Sequence, residues 1–239
     1  MDTFGTTGFT IILILSGVVF IVALAAFIYW TWVITEGTYL GSWAVILGYD
    51  IMADKYDGIK EFTLDDESIL VLEPILGEIG DLAEPRLLDI ATGTGRVPYF
   101  MAQDPRFAHF TGRVTALEPS QKMLTLAQQK MADIDFHVNW VRQTAVPLPF
   151  PDNSFDMITC LEALEFFPDQ TAALREMHRV LKPNGTLMIT RRTGWEAKMF
   201  FGRHLTREEF ELRILSVGFS DAMSFLWETI YDLTIAHKM

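Results

Sequence analysis

The chain has 239 residues, enough for one substantial domain and an additional segment. Its formal charge of −12 and isoelectric point near 4.8 argue against nucleic-acid binding, and an acidic surface is repelled by anionic lipid head groups. Cys160 is the only cysteine, which excludes disulfides within the chain and a zinc site built from several cysteines. The five histidines have no metal-ligand spacing, so we predict no metal site.

The N-terminal segment is the most hydrophobic part of the chain. Residues 3–35 contain no Asp, Glu, Lys, Arg or His. As a helix, residues 9–33 would be roughly 37 Å long at 1.5 Å per residue, and about 20 apolar residues already cross a bilayer core. Tyr29, Trp30 and Trp32 lie together at one end, as in an aromatic belt. We predict a short tail (1–8) and a single transmembrane helix (9–34) that uses the lipid bilayer as partner.

Two other interpretations of this segment remain open. A cleaved signal peptide would have its cleavage site near Ala23–Ala25, but the segment lacks a basic start and exceeds the usual apolar stretch of 7–15 residues. A buried helix of a soluble domain is the other. The first basic residue is Lys55, so charge gives little information on orientation.

Residues 35–80 are predicted to lead from this helix to a domain over residues 81–239. Residues 37–48 are apolar and aromatic, and either lie on the membrane or pack on the domain. A helical pattern follows over residues 64–79, and residues 80–85 form a boundary.

The strand–turn–helix pattern of residues 87–97 organises the domain. Leu87, Leu88 and Ile90 indicate a buried parallel strand, and Gly93 and Gly95 allow a tight turn before a helix. Ligands of open α/β sheets bind beyond such strand ends. Pro98 stands where a dinucleotide fingerprint requires its third glycine, and Asp89 would repel a pyrophosphate. An NAD(P) oxidoreductase is therefore a minor alternative, and Asp89 suits a cationic ligand.

The motif Asp89-Ile90-Ala91-Thr92-Gly93-Thr94-Gly95 resembles the nucleotide-binding motif of class I S-adenosylmethionine (SAM) methyltransferases. The stretches 148–156 (LPFPDNSFD) and 181–185 (LKPNG), and the Leu-Thr-x-x-Glu…Gly-Phe ending, are similar to the same family. The resemblance covers residues 52–237. It implies a Rossmann-like, mostly parallel sheet of about seven strands with an antiparallel last strand, and SAM as cofactor.

The resemblance also implies a set of cofactor contacts. Glu118 ends the second strand, about 25 residues past the glycines, where a carboxylate accepts both ribose hydroxyls. Thr144 stands where the family has an Asp that binds the adenine amino group, and a hydroxyl makes the weaker bond. Tyr56 corresponds to an aromatic residue near the SAM carboxylate. The full predicted set is Tyr56, Asp89, Ala91, Gly93, Gly95, Glu118, Pro119, Thr144, Ala145 and Cys160.

No residue pattern identifies a catalytic group with certainty. Glu162 and Glu165 follow the fourth strand and could act as a general base or orient an acceptor, although a helix-end or surface position explains each more simply. Cys160 is expected to be a small core residue rather than a nucleophile. The aromatic residues 195–201 either line an acceptor pocket or pack on the core.

Local signals predict several helix starts and a final hairpin. Ser120 and Asp169 are expected N-caps, and Thr206 begins a capping box. The fifth strand is predicted over residues 186–190 and an antiparallel hairpin over 222–227 and 229–236.

These patterns together predict a membrane-anchored SAM-dependent methyltransferase with a small, lipophilic acceptor. Its C-terminal domain would face the cytoplasm, where SAM is made. The alternative is a non-catalytic, methyltransferase-like subunit of a membrane protein complex. Thr144 and the lack of a firm catalytic base permit that alternative.

Overall fold

The computed structural model describes residues 3–239, with side chains described from Gly8 onward. The N-terminal helix α1 spans Thr3–Tyr29 and continues without a break into a π-helical turn, Trp30–Ile34. Residues 3–8, predicted as a tail, are therefore helical, while Met1 and Asp2 lie outside the described residues. Within residues 8–34, an 18-residue window has a mean hydropathy of 3.1 and none of it is buried, so the segment is long and apolar enough to cross a membrane.

Helices connect α1 to the sheet. A 3₁₀ turn, Thr38–Leu40, precedes α2, Ser42–Lys60. The predicted helix over residues 64–79 is confirmed as one helical run: α3 (Leu64–Glu67), a π turn (Ser68–Leu72) and α4 (Glu73–Ile79). The remaining helices of eight or more residues are α5 (Arg96–Gln103), α6 (Gln121–Met131), α7 (Gln170–Val180) and α9 (Arg207–Ser216); α8 (Gly194–Ala197) is one turn.

Seven strands form one sheet in the order β3-β2-β1-β4-β5-β7-β6. The first five strands pair in parallel with their neighbours in the sheet, and β7 is antiparallel to both of its neighbours, as predicted. The strands are β1 (Arg86–Ile90), β2 (Arg113–Leu117), β3 (Val138–Val141), β4 (Phe155–Cys160), β5 (Leu181–Arg192), β6 (Met223–Glu228) and β7 (Tyr231–His237). Strand order reverses between β1 and β4, which places a ligand crevice at their carboxyl ends.

The core consists of one hydrophobic layer on each face of the sheet. Leu88, Ile158 and Ile189 pack on one side with α7 and α9. Leu87 and Met157, their neighbours along the strands, pack on the other side with the π turn (Ser68–Leu72), α4 and α5. This alternation follows from the two-residue period of a strand, and buried strands covered on both faces are apolar throughout.

Candidate active site

The glycine turn after β1 opens the crevice. Gly93 and Gly95 have φ angles of +57° and +80°, a region that glycine enters without steric cost. A Cβ at Gly93 would contact only the Tyr56 ring, at 3.8 Å, so this backbone faces open space. A Cβ at Gly95 would instead meet Ala127 Cβ at 3.1 Å and Trp140 at 3.3 Å. Gly93 therefore serves ligand access, and Gly95 serves the packing of the turn on α6.

Glu118 lies beside this turn, directly after β2. Its carboxylate accepts hydrogen bonds from the backbone N–H groups of Gly93 (3.0 Å) and Ser120 (2.8 Å). Burial raises the pKa of Glu118 to about 7, against the opposing effect of these two bonds. A hydrogen bond to this buried acid thus connects the carboxyl end of β2 with the glycine turn.

Asp89 is the second buried acid of the crevice, on β1. Its Oδ1 accepts a hydrogen bond from the Thr159 hydroxyl at 2.6 Å, while Oδ2 is buried without a hydrogen-bond partner among the described residues. Burial raises the pKa of Asp89 to about 6. An unsatisfied buried carboxylate oxygen is costly, and a ligand that donates a hydrogen bond to it would remove that cost.

A cavity of about 300 Å³ lies over these groups. Its lining includes Gly93 and the acid Glu118 at the strand ends, and the apolar side chains of Val45 and Ile46 from α2 and of Phe167 from the segment after β4. A smaller adjoining cavity of about 30 Å³ contains Asp89. The site therefore combines a polar half with an apolar half.

The structure brings most of the predicted cofactor residues to these cavities. Those lining the large cavity are Tyr56, Ala91, Gly93, Glu118, Pro119, Thr144 and Ala145. Asp89 lines the adjoining one. Gly95 and Cys160 are the exceptions. The Cys160 side chain is fully buried in the hydrophobic layer against α7 and α9, because alternate strand residues point to opposite faces.

Glu162 lines both cavities, as a member of a buried ionic network. Its carboxylate binds Lys60 and Arg96, and Arg96 also binds Glu67 (2.7 Å) and Glu228 (3.0 Å). Although burial opposes ionisation, the two cations lower the pKa of Glu162. Its φ of +51° is uncommon outside glycine and indicates a backbone held in place by its surroundings. Glu162 is neither a surface nor a helix-end acid.

Glu165 lies outside the large cavity. It accepts a hydrogen bond from the Tyr231 hydroxyl at 2.6 Å and is 3.7 Å from Arg192. It is 7% exposed, so the interpretation as a surface acid is wrong for it as well. The fold assigns Glu165 to the support of β7 against the loop after β4.

Comparisons with known proteins agree with this geometry. A family model described as "Methyltransferase domain" matches residues 88–189, which include the glycine turn, Glu118 and β4. A SAM-dependent methyltransferase from Aquifex aeolicus has a similar fold, with a TM-score of 0.62 and 20% identity over 80% of this chain and 98% of that one. Residues 88–189 thus match a methyltransferase domain, and the fold is similar to that of a SAM-dependent methyltransferase. The residues present fit SAM: two buried acids, one of them with an unpaired oxygen, line the cavities in which a cationic nucleoside would lie.

Curated relatives of the methyltransferase domain have names from quinone biosynthesis. A demethylmenaquinone methyltransferase of Listeria monocytogenes serotype 4a (strain HCC23) is 41% identical over 104 residues, 42% of each chain. A ubiquinone/menaquinone biosynthesis C-methyltransferase UbiE of Psychromonas ingrahamii is 35% identical over 153 residues, 61% of this chain and 55% of that protein. The chain thus spans about half the length of the curated relatives it matches.

Helix α2 contributes residues that the sequence interpretation missed. Ser42, Val45, Ile46 and Tyr49 line the cavity of the methyltransferase domain, and they are spaced i, i+3, i+4, i+7 as one helical face. Trp43, on the other side, is 60% exposed. Of the two interpretations of residues 37–48, packing on the domain is therefore observed for one face of the helix. The i, i+3, i+4, i+7 spacing of the cavity-lining residues is the sequence signal that could have identified them.

We expect Gly95→Ala to destabilise the methyltransferase domain by about 1–3 kcal/mol, because alanine is strained at this φ and its Cβ would meet α6. Thermal unfolding would measure the loss. Gly77→Ala is the matched control: Gly77 lies in α4 with no heavy atom near the added Cβ, and the change should stabilise by about 0.5–1 kcal/mol. Equal effects of the two substitutions would contradict the assigned role of Gly95.

The two buried acids predict a pH dependence of stability. Their pKa values are raised on folding, so between about pH 4 and pH 7 the folded domain retains protons that the unfolded chain has lost. The contribution of these acids to the stability of the cofactor-free protein should therefore fall as pH rises through this interval. Thermal unfolding from pH 5 to 8 would test it, and Glu118→Gln should flatten the profile. An unchanged slope in that variant would assign the effect to other groups.

Proposed function

We propose that this chain is a membrane-anchored, SAM-dependent methyltransferase that methylates a small lipophilic acceptor, with a quinone-type ring as the favoured class. The observation that carries the proposal is the two-sided cavity, polar at Gly93 and Glu118 and apolar at Val45, Ile46 and Phe167. The names of the curated relatives support a lipophilic, ring-containing acceptor.

The polar half provides the cofactor contacts. The Glu118 carboxylate would accept hydrogen bonds from the ribose hydroxyls, and the free Asp89 Oδ2 would attract the cationic amino-acid part. Thr144 and Ala145 line the part of the cavity where the resemblance places adenine. When bound, SAM supplies an electrophilic methyl group on a positively charged sulfur. The acids of this chain stabilise that charge where it has left water.

The apolar half would position the acceptor and exclude water. Methyl transfer requires mainly alignment and desolvation, which Val45, Ile46 and Phe167 can provide without an acid–base triad. Glu162 is held ionised by Lys60 and Arg96 and is therefore a poor proton acceptor. We assign it the orientation of a polar group on the acceptor.

The helix α1 would anchor the enzyme. It is exposed throughout its apolar window, which argues against a buried core helix. The Trp30 indole N–H donates a hydrogen bond to the Met199 carbonyl oxygen at 3.1 Å, and its ring is 5.6 Å from that of Phe201. These contacts hold the C-terminal end of α1 against the domain. The domain would face the cytoplasm, where SAM is available.

Detergent-solubilised protein incubated with methyl-labelled SAM and a membrane lipid extract tests the proposal. We expect the label in the organic phase. The same result is expected when a demethylated menaquinone is the single acceptor. Ile46→Ser should raise the KM for the lipid acceptor several-fold without changing SAM affinity, because it alters only the apolar wall. Leu47→Ser, one residue further on the exposed side of α2, is the matched control. Label found only in water-soluble products would contradict a lipophilic acceptor.

A non-catalytic subunit of a membrane complex is the second candidate. It is favoured by Thr144, which offers the adenine amino group no charged acceptor. Titration calorimetry with SAM separates the two: absence of binding at millimolar cofactor would support the structural subunit.

A further inference from the structure

The loop between β5 and α9 differs in charge from the rest of the chain. Residues 194–204 contain two cations, Lys198 and Arg203, and a single acid, whereas the whole chain has a net charge of −12; three more arginines, Arg191, Arg192 and Arg207, flank them at the ends of β5 and α9. Arg191 and Arg207 bind Asp232, and Arg192 binds Glu196. Lys198 and Arg203 have no carboxylate partner among the described residues. We call residues 194–204 the aromatic–basic loop.

The aromatic–basic loop also exposes two large aromatic side chains. Trp195 is 65% exposed and Phe201 is 62% exposed. Such rings are costly in water but favoured at the level of lipid head groups. Lys198 is exposed beside them, and Arg203 lies 5.5 Å from the Tyr39 ring while donating hydrogen bonds to the carbonyl oxygens of residues 165 and 167. The surface thus combines exposed rings with unpaired cations.

The loop is packed against the end of the apolar helix. The Phe201 ring is 5.6 Å from that of Trp30, and the Tyr39 hydroxyl donates a hydrogen bond to the Phe201 carbonyl oxygen at 2.7 Å. Trp30 and Tyr39 stack at 5.0 Å. If α1 crosses the bilayer, the loop therefore lies at the depth where the helix leaves it.

We propose that the aromatic–basic loop is a binding surface for anionic lipid head groups. Trp195 and Phe201 would enter the interface, and Lys198 and Arg203 would bind lipid phosphates. The proposal rests on the membrane anchor of the proposed function, and goes beyond it by giving the domain a second, charge-selective contact with the bilayer. It explains how an acidic protein can rest on an acidic membrane: two cations without a carboxylate partner among the described residues, Lys198 and Arg203, lie on the membrane-proximal loop.

The docked loop would also place the cavity near the lipid. Phe200, within the loop, is 5.9 Å from Phe166, whose side chain lines the cavity. Tyr49, which lines the cavity from α2, has its ring centroid 6.1 Å from that of Phe166. A lipophilic acceptor would therefore reach the cavity from the membrane side.

Site-directed fluorescence quenching of the full chain in lipid nanodiscs tests this proposal. Cys160 is fully buried, so a bimane label can be directed to Trp195→Cys. Leu82→Cys is the control, because Leu82 is 44% exposed just before β1, at the amino ends of the parallel strands and opposite the loop. With nitroxide-labelled lipid in the discs, we expect strong quenching at 195 and little at 82.

The charge contribution is tested by lipid composition and by one substitution. Quenching at 195 should be roughly two-fold stronger with about 30% phosphatidylglycerol than with phosphatidylcholine alone, and Lys198→Glu should remove most of this difference. Arg113→Glu is the control, since Arg113 is an exposed cation without a carboxylate partner at the amino end of β2.

Each other outcome overturns the proposal in an identifiable way. Equal quenching at 195 and 82 would show that the loop is not at the bilayer, even if the chain is anchored. Equal quenching in both lipids would exclude head-group recognition. Failure to enter nanodiscs would remove the anchor and this proposal with it, while calorimetry with SAM in detergent would still report on the methyltransferase site.

Discussion

Replacement of Glu118 by alanine is expected to weaken SAM binding by at least about 100-fold. The ribose hydroxyls would lose two charge-assisted hydrogen bonds, each of about 1.5–3 kcal/mol. The substitution also leaves the N–H groups of Gly93 and Ser120 without their acceptor, which loosens the glycine turn. Glu118→Gln, which keeps an acceptor but not the charge, should lose about 10-fold. Titration calorimetry on the detergent-solubilised protein measures both.

The control for this prediction is Asp54→Asn. Asp54 is an acid on the exposed side of α2, paired with Lys122 at 3.5 Å, and its loss should leave SAM affinity unchanged. Unfolding temperatures of all three variants separate binding effects from misfolding. A Glu118→Ala protein that is folded and binds SAM like the wild type would exclude Glu118 as the ribose ligand.

Arg96→Met is expected to destabilise the domain by about 3–5 kcal/mol, the largest stability effect we predict. It leaves Glu67, which is 2% exposed, and Glu162 without their shared buried cation. The unfolding temperature should fall by roughly 10 °C for a domain of this size. Circular dichroism or scanning calorimetry would record the change.

Lys122→Met serves as the surface control, because the Lys122–Asp54 pair is exposed and should contribute about 0–1 kcal/mol. Adding Glu67→Gln to Arg96→Met should recover part of the loss, since one uncompensated charge is removed. Similar shifts for Arg96→Met and Lys122→Met would mean that the buried network is not what stabilises this region.

Local signals in the sequence predicted the helix starts correctly. Ser120, Asp169 and Thr206 each cap a helix in the structure, and the predicted capping box is formed with Glu209. Caps depend on neighbours three residues away, so they can be read without knowing the fold. The hairpin is also confirmed, with boundaries shifted by one or two residues.

Strand β5 was predicted less well. It begins at Leu181 rather than Thr186, because Leu181 pairs with Phe155 before residues 182–185 leave the register and Thr186 pairs with Met157. Asn184, at φ +62°, has the turn geometry that the LKPNG motif suggested. The pairing on either side of this turn depends on β4, which local sequence does not reveal.

The site was predictable where topology alone brings residues together. Asp89 lies on β1 and Glu118 directly follows β2, the adjacent parallel strand, so their positions near one crevice follow from strand order. The direction of each residue was not predictable in the same way: Gly95 packs on α6 and the Cys160 side chain lies in the core, and neither residue lines the cavities. The Arg96 network joins four elements of the chain, and the pairing of distant charges has no sequence signature.

The uninterrupted passage from α1 into the Trp30–Ile34 turn has a mechanical consequence. The buried threonines 31, 35 and 38 and the Trp30–Met199 bond leave no flexible joint between the helix and the domain. In an anchored enzyme, helix and domain would therefore rotate and tilt as one rigid body. Its encounters with acceptor molecules would be governed by lateral diffusion in two dimensions, at a fixed height above the bilayer.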